Sequence, residues 1–303
     1  MANTKPDFPA IRACIFDLDG LLINTEDIIT TSINGLLAKY DRPPMTRAIR
    51  AQLMGIANSS NSDAFHGWAR LPISREQWAR ESKEEFRRNF PNCAPLPGAE
   101  TLITTLSRAF SSSAAAARPT TTSTGEGAGA KDNKQKIKLA LASGTTAQNY
   151  ALKTSLSPET QKLLGFFPPE HRVLGFFPPE HRGSGHRGKP APDIYQVALQ
   201  TLNATAEASG EEPILPGECL VFEDSVVGVE AGRRAGMRVV WVPHPDMVVE
   251  YRGREERVLA GRTGMVEIGD GEGQLGEVDD GWAEMTHSLE HFDYAKFGIH
   301  VGV

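Results

Sequence analysis

With 303 residues, of which 40% are hydrophobic, the chain is long enough for one large core domain and a smaller one. Its formal net charge of −6 excludes a strongly basic surface for nucleic acid. The start of the sequence has no secretory apolar region, and no stretch reaches the roughly 18 apolar residues that cross a bilayer. We therefore expect a cytoplasmic protein, acting as a monomer, that binds neither nucleic acid nor membrane.

Four short apolar runs are typical of buried strands: ACIF before Asp17, IKLALA before Ser143, CLVF before Glu223 and VVWV around Trp241. Helical or loop-like sequence separates them, which predicts a parallel sheet. Between the last two runs, Ser225 is a candidate helix cap and Gly236 a candidate helix end. Cys14 and Cys219 lie within these runs, so we expect buried free thiols and no disulfides. The predicted fold class is α/β, with a doubly wound, Rossmann-like core.

After the first predicted strand the pattern changes to consecutive helical segments. One of them opens with Ser74 and carries Gln77 three residues later, which is the pattern of a capping box. The sequence therefore predicts a small helical domain over residues 25–95. It is inserted between two parts of the core, residues 1–24 and 96–303.

Two further segments carry little sign of regular structure. Residues 111–136 are rich in Ser, Thr, Ala and Gly without apolar periodicity, which predicts a flexible surface insertion. A ten-residue unit occurs twice, LLGFFPPEHR from Leu163 and VLGFFPPEHR from Val173, and two copies cannot build a solenoid. Both copies end in His-Arg, as does the later pair His186 and Arg187. Because no Cys or carboxylate cluster adjoins them, we interpret the duplication as a solvated loop rather than a metal or anion site.

The first candidate for chemistry is the pair of carboxylates that follows the first predicted strand. Asp17 and Asp19 stand two residues apart, so an extended backbone points both to the same side, and Gly20 permits a sharp turn behind them. One carboxylate can attack phosphorus while the other moves the leaving-group proton. Taken alone, the pattern fits a turn equally well, and the longer EF-hand calcium pattern is absent.

Polar groups also follow two other predicted strands. Ser143 comes after IKLALA, and Glu223 with Asp224 ends CLVF. Because the carboxyl ends of strands line the crevice of an open α/β sheet, these groups can surround one phosphate and one hard cation. Lys189, in GKPAPD, adds a positive charge, and a charge pair at about 4 Å is worth roughly 4 kcal/mol at an effective dielectric of about 20.

Four motifs follow one another along the chain: FDLDG at 16–20, ALASG at 140–144, GKPAPD at 188–193 and FEDS at 222–225. In this order they resemble the haloacid dehalogenase superfamily of phosphohydrolases. The C-terminal SLEHFDYAKFGI is similar to the ending of eukaryotic pseudouridine-5′-phosphatase-type members. The resemblance implies that Asp17 is the nucleophile and that Asp19 is the general acid and base, which also offers its backbone carbonyl to Mg²⁺. The implied catalytic residues are Asp17, Asp19, Ser143 and Lys189. The implied phosphate ligands are Ser143, Gly144 and Lys189, and the implied Mg²⁺ ligands are Asp17, Asp19, Glu223 and Asp224.

The resemblance further implies a Mg²⁺-dependent phosphatase that acts through an aspartyl-phosphate intermediate. Its partner would be a small phosphorylated metabolite, a sugar phosphate or a nucleotide such as pseudouridine 5′-phosphate. The helical domain would be a mobile cap that closes over the core, hinged near Thr25 and Leu96.

Two alternatives stay open at this point. A β-phosphoglucomutase-like phosphomutase shares the same four motifs, and the long insertion leaves room for a non-catalytic binding module. Classical dehalogenation is disfavoured, because the acidic cluster suits a divalent cation that this chemistry does not use. Two positions also depart from the family pattern. Asn24 stands where Asp is usual but can still cap a helix, and Ile56 stands where related caps often have a basic residue.

Overall fold

The computed structural model describes residues 8–55, 59–112, 135–175, 187–262 and 276–302. Its strands are β1 Ala13–Phe16, β2 Phe110–Ser111, β3 Lys138–Ser143, β4 Arg172–Leu174, β5 Cys219–Glu223, β6 Arg238–Trp241, β7 Ala283–Met285 and β8 Ile299–His300. Its first helices are α1 Thr25–Lys39, α2 Arg47–Leu53, α3 Asp63–Ala69, α4 Arg75–Asn89, α5 Ala99–Leu106 and α6 Ala147–Lys153. The later helices are α7 Pro158–Leu164, α8 Asp193–Ala208, α9 Val226–Arg234, α10 Pro245–Glu250 and α11 Glu255–Leu259.

Six of the described strands form one parallel sheet in the order β4-β3-β1-β5-β6-β7. From the central β1 the chain builds one side through β3 and β4, and then the other side through β5, β6 and β7. This reversal of direction is the defining feature of a doubly wound fold, so the predicted fold class is confirmed. The sequence predicted β1, β3, β5 and β6, whereas the three-residue strands β4 and β7 were missed.

The central strands are buried on both faces, because alternate residues enter two separate apolar cores. In β1, Ala13 and Ile15 face the core that α8 and α9 cover. Cys14 and Phe16 face the opposite core, to which α5 and α7 contribute. Near-continuous apolar runs are typical of parallel strands covered by helices on both sides. Cys14 and Cys219 are free and buried, as expected, and Cys93 is free and buried as well.

Helices α1 to α4 lie between β1 and α5 in the sequence and pack around an apolar cluster of their own. In that cluster the rings of Phe65 and Trp78 stack with their centroids 5.3 Å apart. The indole nitrogen of Trp78 donates a hydrogen bond of 2.8 Å to the Ser60 carbonyl, so this large buried side chain is fully satisfied. Among the described residues, no helix has the length and apolar character of a membrane span.

The two linkers that join these helices to the sheet run side by side. The amide of Leu96 donates to the carbonyl of Leu22, and the amide of Asn24 donates to the carbonyl of Ala94. The side chain of Asn24 accepts from the Ala94 amide at 2.8 Å and makes no capping bond to α1. The expectation that Asn24 caps a helix is therefore wrong, because the second linker lies close enough to take its carbonyl oxygen.

Of the other predicted helix caps, those at Ser225 and Gly236 are confirmed, and the capping box at Ser74 is only half formed. The hydroxyl of Ser225 accepts from the Gly228 amide, and Gly236 ends that helix with φ of 71°. The hydroxyl of Ser74 accepts from the Gln77 amide, but the Gln77 side chain donates to Tyr40 and Glu81 instead of completing a capping box.

The first copy of the duplicated unit is a structural element, so its interpretation as a solvated loop is wrong. It supplies the end of α7, a 3₁₀ turn at Pro169–His171 and the start of β4. Phe167 is fully buried, and the His171 ring lies 2.9 Å from the Thr205 hydroxyl. Most of the second copy, residues 176–182, and the later His186 lie outside the described residues.

The described part of the chain extends into both ends of the predicted insertion. Ser111 lies in β2, which pairs with β8, and its amide donates to the Gln135 carbonyl at 2.8 Å. Residues 113–134 lie outside the described residues, as does Ile56. The two ends of the undescribed segment are therefore adjacent on the core.

Candidate active site

The carboxyl ends of β1, β3 and β5 meet where the strand order of the sheet reverses. Asp17 directly follows β1, and its amide donates to the Phe222 carbonyl at 3.1 Å. Ser143 is the last residue of β3, and Glu223 is the last residue of β5. Such a switch point forms a crevice beyond the strand ends. Neighbouring strands in register therefore bring residues distant in sequence to one place.

Lys189 reaches into this group from the loop before α8. Its ammonium nitrogen lies 2.5 Å from both Asp17 Oδ1 and Glu223 Oε1, and its side chain is only 5% exposed. Burial by itself would lower the pKa of Lys189, but the two carboxylates outweigh it and raise the pKa well above its usual range. The lysine is therefore a fixed positive charge between two strand ends.

Glu223 anchors that lysine. Its Oε1 also accepts from the Tyr195 hydroxyl at 2.6 Å, while Oε2 accepts from both the amide and the hydroxyl of Ser225 at 3.0 Å. Gly228 makes room for the carboxylate, since a Cβ there would lie 1.9 Å from Oε1. Hydrogen bonds thus engage both oxygens of Glu223.

Asp17, Glu223 and Asp224 form a buried acidic cluster whose ligand oxygens lie within 4.8 Å of one another. Burial, with the neighbouring Glu223 and Asp19 outweighing Lys189, raises the pKa of Asp17 to about 7. Burial, reinforced by Glu223, Asp17 and Glu26, raises the pKa of Asp224 well above its usual range. The cluster therefore holds more negative charge than its lysine offsets.

The acidic cluster has the donor set of a hard divalent cation. Asp224 Oδ2 is buried and finds no hydrogen-bond partner within the part of the chain that the structure describes. Gly20 leaves the space beside it open, because a Cβ at Gly20 would lie 2.2 Å from that oxygen. A buried carboxylate oxygen without a donor, among other carboxylates, fits an oxygen-liganded ion such as Mg²⁺.

Asp19 occupies the other side of Asp17, with both carboxylate oxygens held. Its Oδ2 accepts from the Ser143 hydroxyl at 3.1 Å, and its Oδ1 accepts from Lys153 at 2.6 Å. The Asp19 amide donates to Asp17 Oδ2 at 2.8 Å. Burial alone would raise the pKa of Asp19, but the charge of Lys153 outweighs it and lowers that pKa. Asp19 is thus ionised at neutral pH, the form that takes a proton from water.

A cavity of about 210 Å³ opens above Asp17 and Asp19, between the sheet edge and helices α1, α2 and α4. Its core side is polar, whereas its helical side combines an apolar wall with the polar residues Glu26, Thr30, Arg50, Ser59 and Ser60. The polar wall includes Gly144, Thr145, Thr146, Asn149 and Lys153. The apolar wall includes Ile29, Ile33, Met45, Leu53, Phe86 and Phe90.

The haloacid dehalogenase-like hydrolase family matches residues 11–236 of the chain. The chain belongs to this family. A relative in Saccharomyces cerevisiae, named "Probable pseudouridine-5′-phosphatase", is 29% identical over 96% of this chain and 98% of its own length. A Drosophila melanogaster relative of the same name is 30% identical over 82% of this chain and 89% of its own. The solved structure of a family IA, variant 3 hydrolase from Entamoeba histolytica superposes with a TM-score of 0.59. It covers 95% of this chain and 97% of its own at 16% identity, and so supports the fold alone.

Sequence reasoning placed the strand-end residues of this haloacid dehalogenase-like hydrolase but missed four side chains around them. Tyr195 and Lys153 hold Glu223 and Asp19 respectively, as described above. Glu26 and Arg50 line the cavity. Burial, reinforced by Asp19, raises the pKa of Glu26 to about 8. No spacing pattern marks these four, because each stands alone within a helix, where such residues are typically amphipathic or solvated.

In this hydrolase the helical unit also contacts the core through a network of ion pairs centred on Arg50 of α2. The Arg50 guanidinium donates to Asp246 of α10 and to Asp27 of α1, both at 2.7 Å. Its Nη2 lies 3.3 Å from His244 Nε2. Because burial and Arg50 lower the pKa of His244, the ring is neutral at pH 7. The network fixes α2 against α10 beside the cavity.

Proposed function

We propose that this hydrolase is a Mg²⁺-dependent phosphatase that cleaves small phosphomonoesters through an aspartyl-phosphate on Asp17. The observation that carries the proposal is the pairing of Asp17 and Asp19 at the floor of one cavity, with their carboxylates held by separate lysines. A nucleophile and a proton carrier with different partners suit two different roles in phosphoryl transfer.

In the first step a carboxylate oxygen of Asp17 attacks phosphorus, and the bond from phosphorus to the leaving oxygen breaks. Asp19 gives its proton to that oxygen, so the alcohol leaves neutral. The negative charge of a bound phosphate raises the pKa of a nearby carboxyl, which favours the protonated form that this step needs. In the second step water attacks phosphorus, Asp19 accepts the water proton, and the bond to Asp17 breaks. Lys189 offsets the charge of Asp17 in both steps.

Asp17, Asp224 and the backbone carbonyl of Asp19 would hold Mg²⁺. When bound, the ion neutralises negative charge on phosphoryl oxygens and on the cluster. Glu223 belongs to the cluster, but its oxygens are engaged by Tyr195, Ser225 and Lys189. Its principal role in this proposal is to position Lys189. Ser143 and Gly144 remain proposed phosphate ligands, next to Asp19 and in the cavity wall respectively.

We further propose that residues 25–95 form a cap whose cavity wall selects the leaving group. The paired linkers at Asn24–Ala94 and Leu22–Leu96 join these helices to the core and are therefore the proposed hinges. The helical side of the cavity combines apolar side chains such as Phe86 and Phe90 with the polar Glu26 and Arg50, which suits a leaving group with a flat apolar face and polar edges. The pseudouridine-5′-phosphatase relatives make a nucleotide of that kind the first substrate to test.

The nucleophile is tested by Asp17→Asn, with phosphate release from pseudouridine 5′-phosphate and other sugar phosphates measured in the presence of Mg²⁺. An amide cannot form the acyl phosphate, so we expect turnover to fall at least about 10³-fold with the fold intact. Asp63→Asn is the matched control, since the Asp63 side chain is 91% exposed. Substantial turnover in Asp17→Asn would contradict the covalent mechanism. Conversion of a sugar 1-phosphate into a 6-phosphate without phosphate release would favour the mutase.

The cation is tested without reference to activity, by thermal unfolding with Mg²⁺ and with EDTA. An ion that binds only the folded state at 100 times its Kd adds about 2.7 kcal/mol of stability. The wild type and Asp63→Asn should gain stability with Mg²⁺, whereas Asp224→Asn should gain little. Equal gains in all three proteins would exclude Asp224 as a ligand.

A further inference from the structure

Lys153 is a second buried lysine at the active site, and none of the four motifs includes it. It ends α6 and is only 3% exposed, yet it lines the same cavity as Asp19. Burying an ammonium group is costly unless its charge and its donors are satisfied. Its partners therefore indicate what it does.

The ammonium group of Lys153 is held by three separate segments. It donates to Asp19 Oδ1 at 2.6 Å, in the loop after β1. It also donates to Thr145 Oγ1 at 2.8 Å, in the loop after β3. Its third side faces the ring of Phe90, with 4.8 Å from Nζ to the ring centroid, at the start of the second linker. These contacts fix the nitrogen from both core loops and from the linker to the cap.

The consequence for Asp19 is a carboxylate that cannot rotate freely. Ser143 holds Oδ2 and Lys153 holds Oδ1, so the plane of the carboxylate is defined by donors on both oxygens. Loss of the Lys153 contact would remove the charged donor on Oδ1, while the Ser143 hydroxyl would still hold Oδ2 at 3.1 Å. Proton transfer depends steeply on such placement, and a shift of about 1 Å can cost roughly 10²-fold in rate.

We propose that Lys153 is a positioning residue that holds the Asp19 carboxylate in the orientation needed for proton exchange with the leaving group. This rests on the proposed function, in which Asp19 moves that proton. A purely structural ion pair would also be buried, but buried ion pairs add little net stability compared with apolar packing. Here the pair forms part of the cavity wall, where its orientation matters for chemistry.

The test compares two phosphomonoesters in Lys153→Met, with single-turnover release of the alcohol measured in the presence of Mg²⁺. A nitrophenolate leaves without help, whereas the alkoxide of glycerol 3-phosphate needs the proton. We expect alcohol release to slow about 10- to 100-fold for the alkyl ester and less than about 3-fold for 4-nitrophenyl phosphate. The KM values should stay within about 3-fold of the wild type, since positioning of the proton acts on the chemical step.

Lys138→Met is the matched control. Lys138 lies in β3 and donates to Glu211 at 2.7 Å, with 18% of its side chain exposed. It is a paired, largely buried lysine at the opposite end of the strand from Ser143. Both esters should react at wild-type rates in this variant.

Equal slowing of both esters in Lys153→Met would assign Lys153 a structural role and overturn the proposal. A raised KM with unchanged release would make it a substrate contact, which also overturns it. If Lys153→Met does not fold, Thr145→Val removes one of the groups that hold the ammonium, and a selective loss of about 3- to 10-fold is expected. Unselective loss in that variant refutes the positioning role.

A wild type inactive on every phosphomonoester would refute the proposed function itself, whereas an active wild type with an unselective Lys153→Met refutes only this inference.

Discussion

Replacing Lys189 by Met keeps the length of the side chain and removes its charge. The ammonium lies 2.5 Å from Asp17 Oδ1 and from Glu223 Oε1, whose side chains are 7% and 0% exposed. Removing one partner of a buried ion pair leaves an uncompensated charge and costs about 3–5 kcal/mol. We therefore expect the free energy of unfolding to fall by about that amount when Mg²⁺ is absent.

The measurement is urea unfolding with EDTA and again with Mg²⁺. A divalent cation brings positive charge to the same carboxylates, so the gain in stability from Mg²⁺ should be larger in Lys189→Met than in the wild type. Turnover should stay low in both buffers, because the charge beside Asp17 is missing.

The matched control is Lys162→Met. Lys162 lies 2.5 Å from Glu100, but the two side chains are 68% and 44% exposed, so its loss should cost about 0–1 kcal/mol. Equal losses in the two variants would refute the account of Lys189 as a buried counter-charge.

Three further changes test other parts of the structure. Replacing residues 113–134 by a short turn should leave the free energy of unfolding unchanged or raise it by up to about 1.5 kcal/mol, because Ser111 and Gln135 are already hydrogen-bonded on either side of the segment. Urea unfolding measures this. A fall in stability would contradict this. Gly228→Ala places a Cβ 1.9 Å from Glu223 Oε1 and should lower the free energy of unfolding by about 1–3 kcal/mol. The control is Gly35→Ala, whose Cβ would have nothing within 4 Å and which should stabilise α1 by about 0.5–1 kcal/mol. Calorimetric Tm values would show this, and a neutral Gly228→Ala would argue against a tightly held carboxylate. Burial lowers the pKa of His244 in the folded protein below 6.5, its usual value. As pH falls below about 6.5, the unfolded chain binds a proton at His244 more readily than the folded chain, so the free energy of unfolding decreases. His244→Gln should therefore lose stability less steeply between about pH 7 and 5, and parallel curves would exclude this role.

The sequence was sufficient to predict the α/β fold class and the polar residues at the ends of three strands. Apolar runs such as ACIF and CLVF are long enough and apolar enough to be buried on both faces, which indicates strands of a parallel sheet. Polar residues that follow such strands must share one edge, so Asp17, Ser143 and Glu223 could be grouped without coordinates. Short or irregular elements escaped this reasoning. β4 has three residues and lies within a proline-rich duplication, so its pairing with β3 comes from tertiary contact rather than from its own pattern.

Only the tertiary structure could decide how the charges at that edge are shared. A carboxylate in a sequence has no known partner, because its pKa and its role depend on burial and on neighbours within a few ångströms. Asp17 and Asp19 are equivalent by pattern, yet the fold gives one to Lys189 and the other to Lys153. Glu223 and Asp224 are adjacent, yet hydrogen bonds engage both oxygens of Glu223 and leave Asp224 Oδ2 without a donor among the described residues. Sequence determined which groups meet at the sheet edge, because polar residues that end parallel strands share that edge. Their separate roles follow from tertiary contacts, such as that between Lys153 and Asp19, which no local pattern encodes.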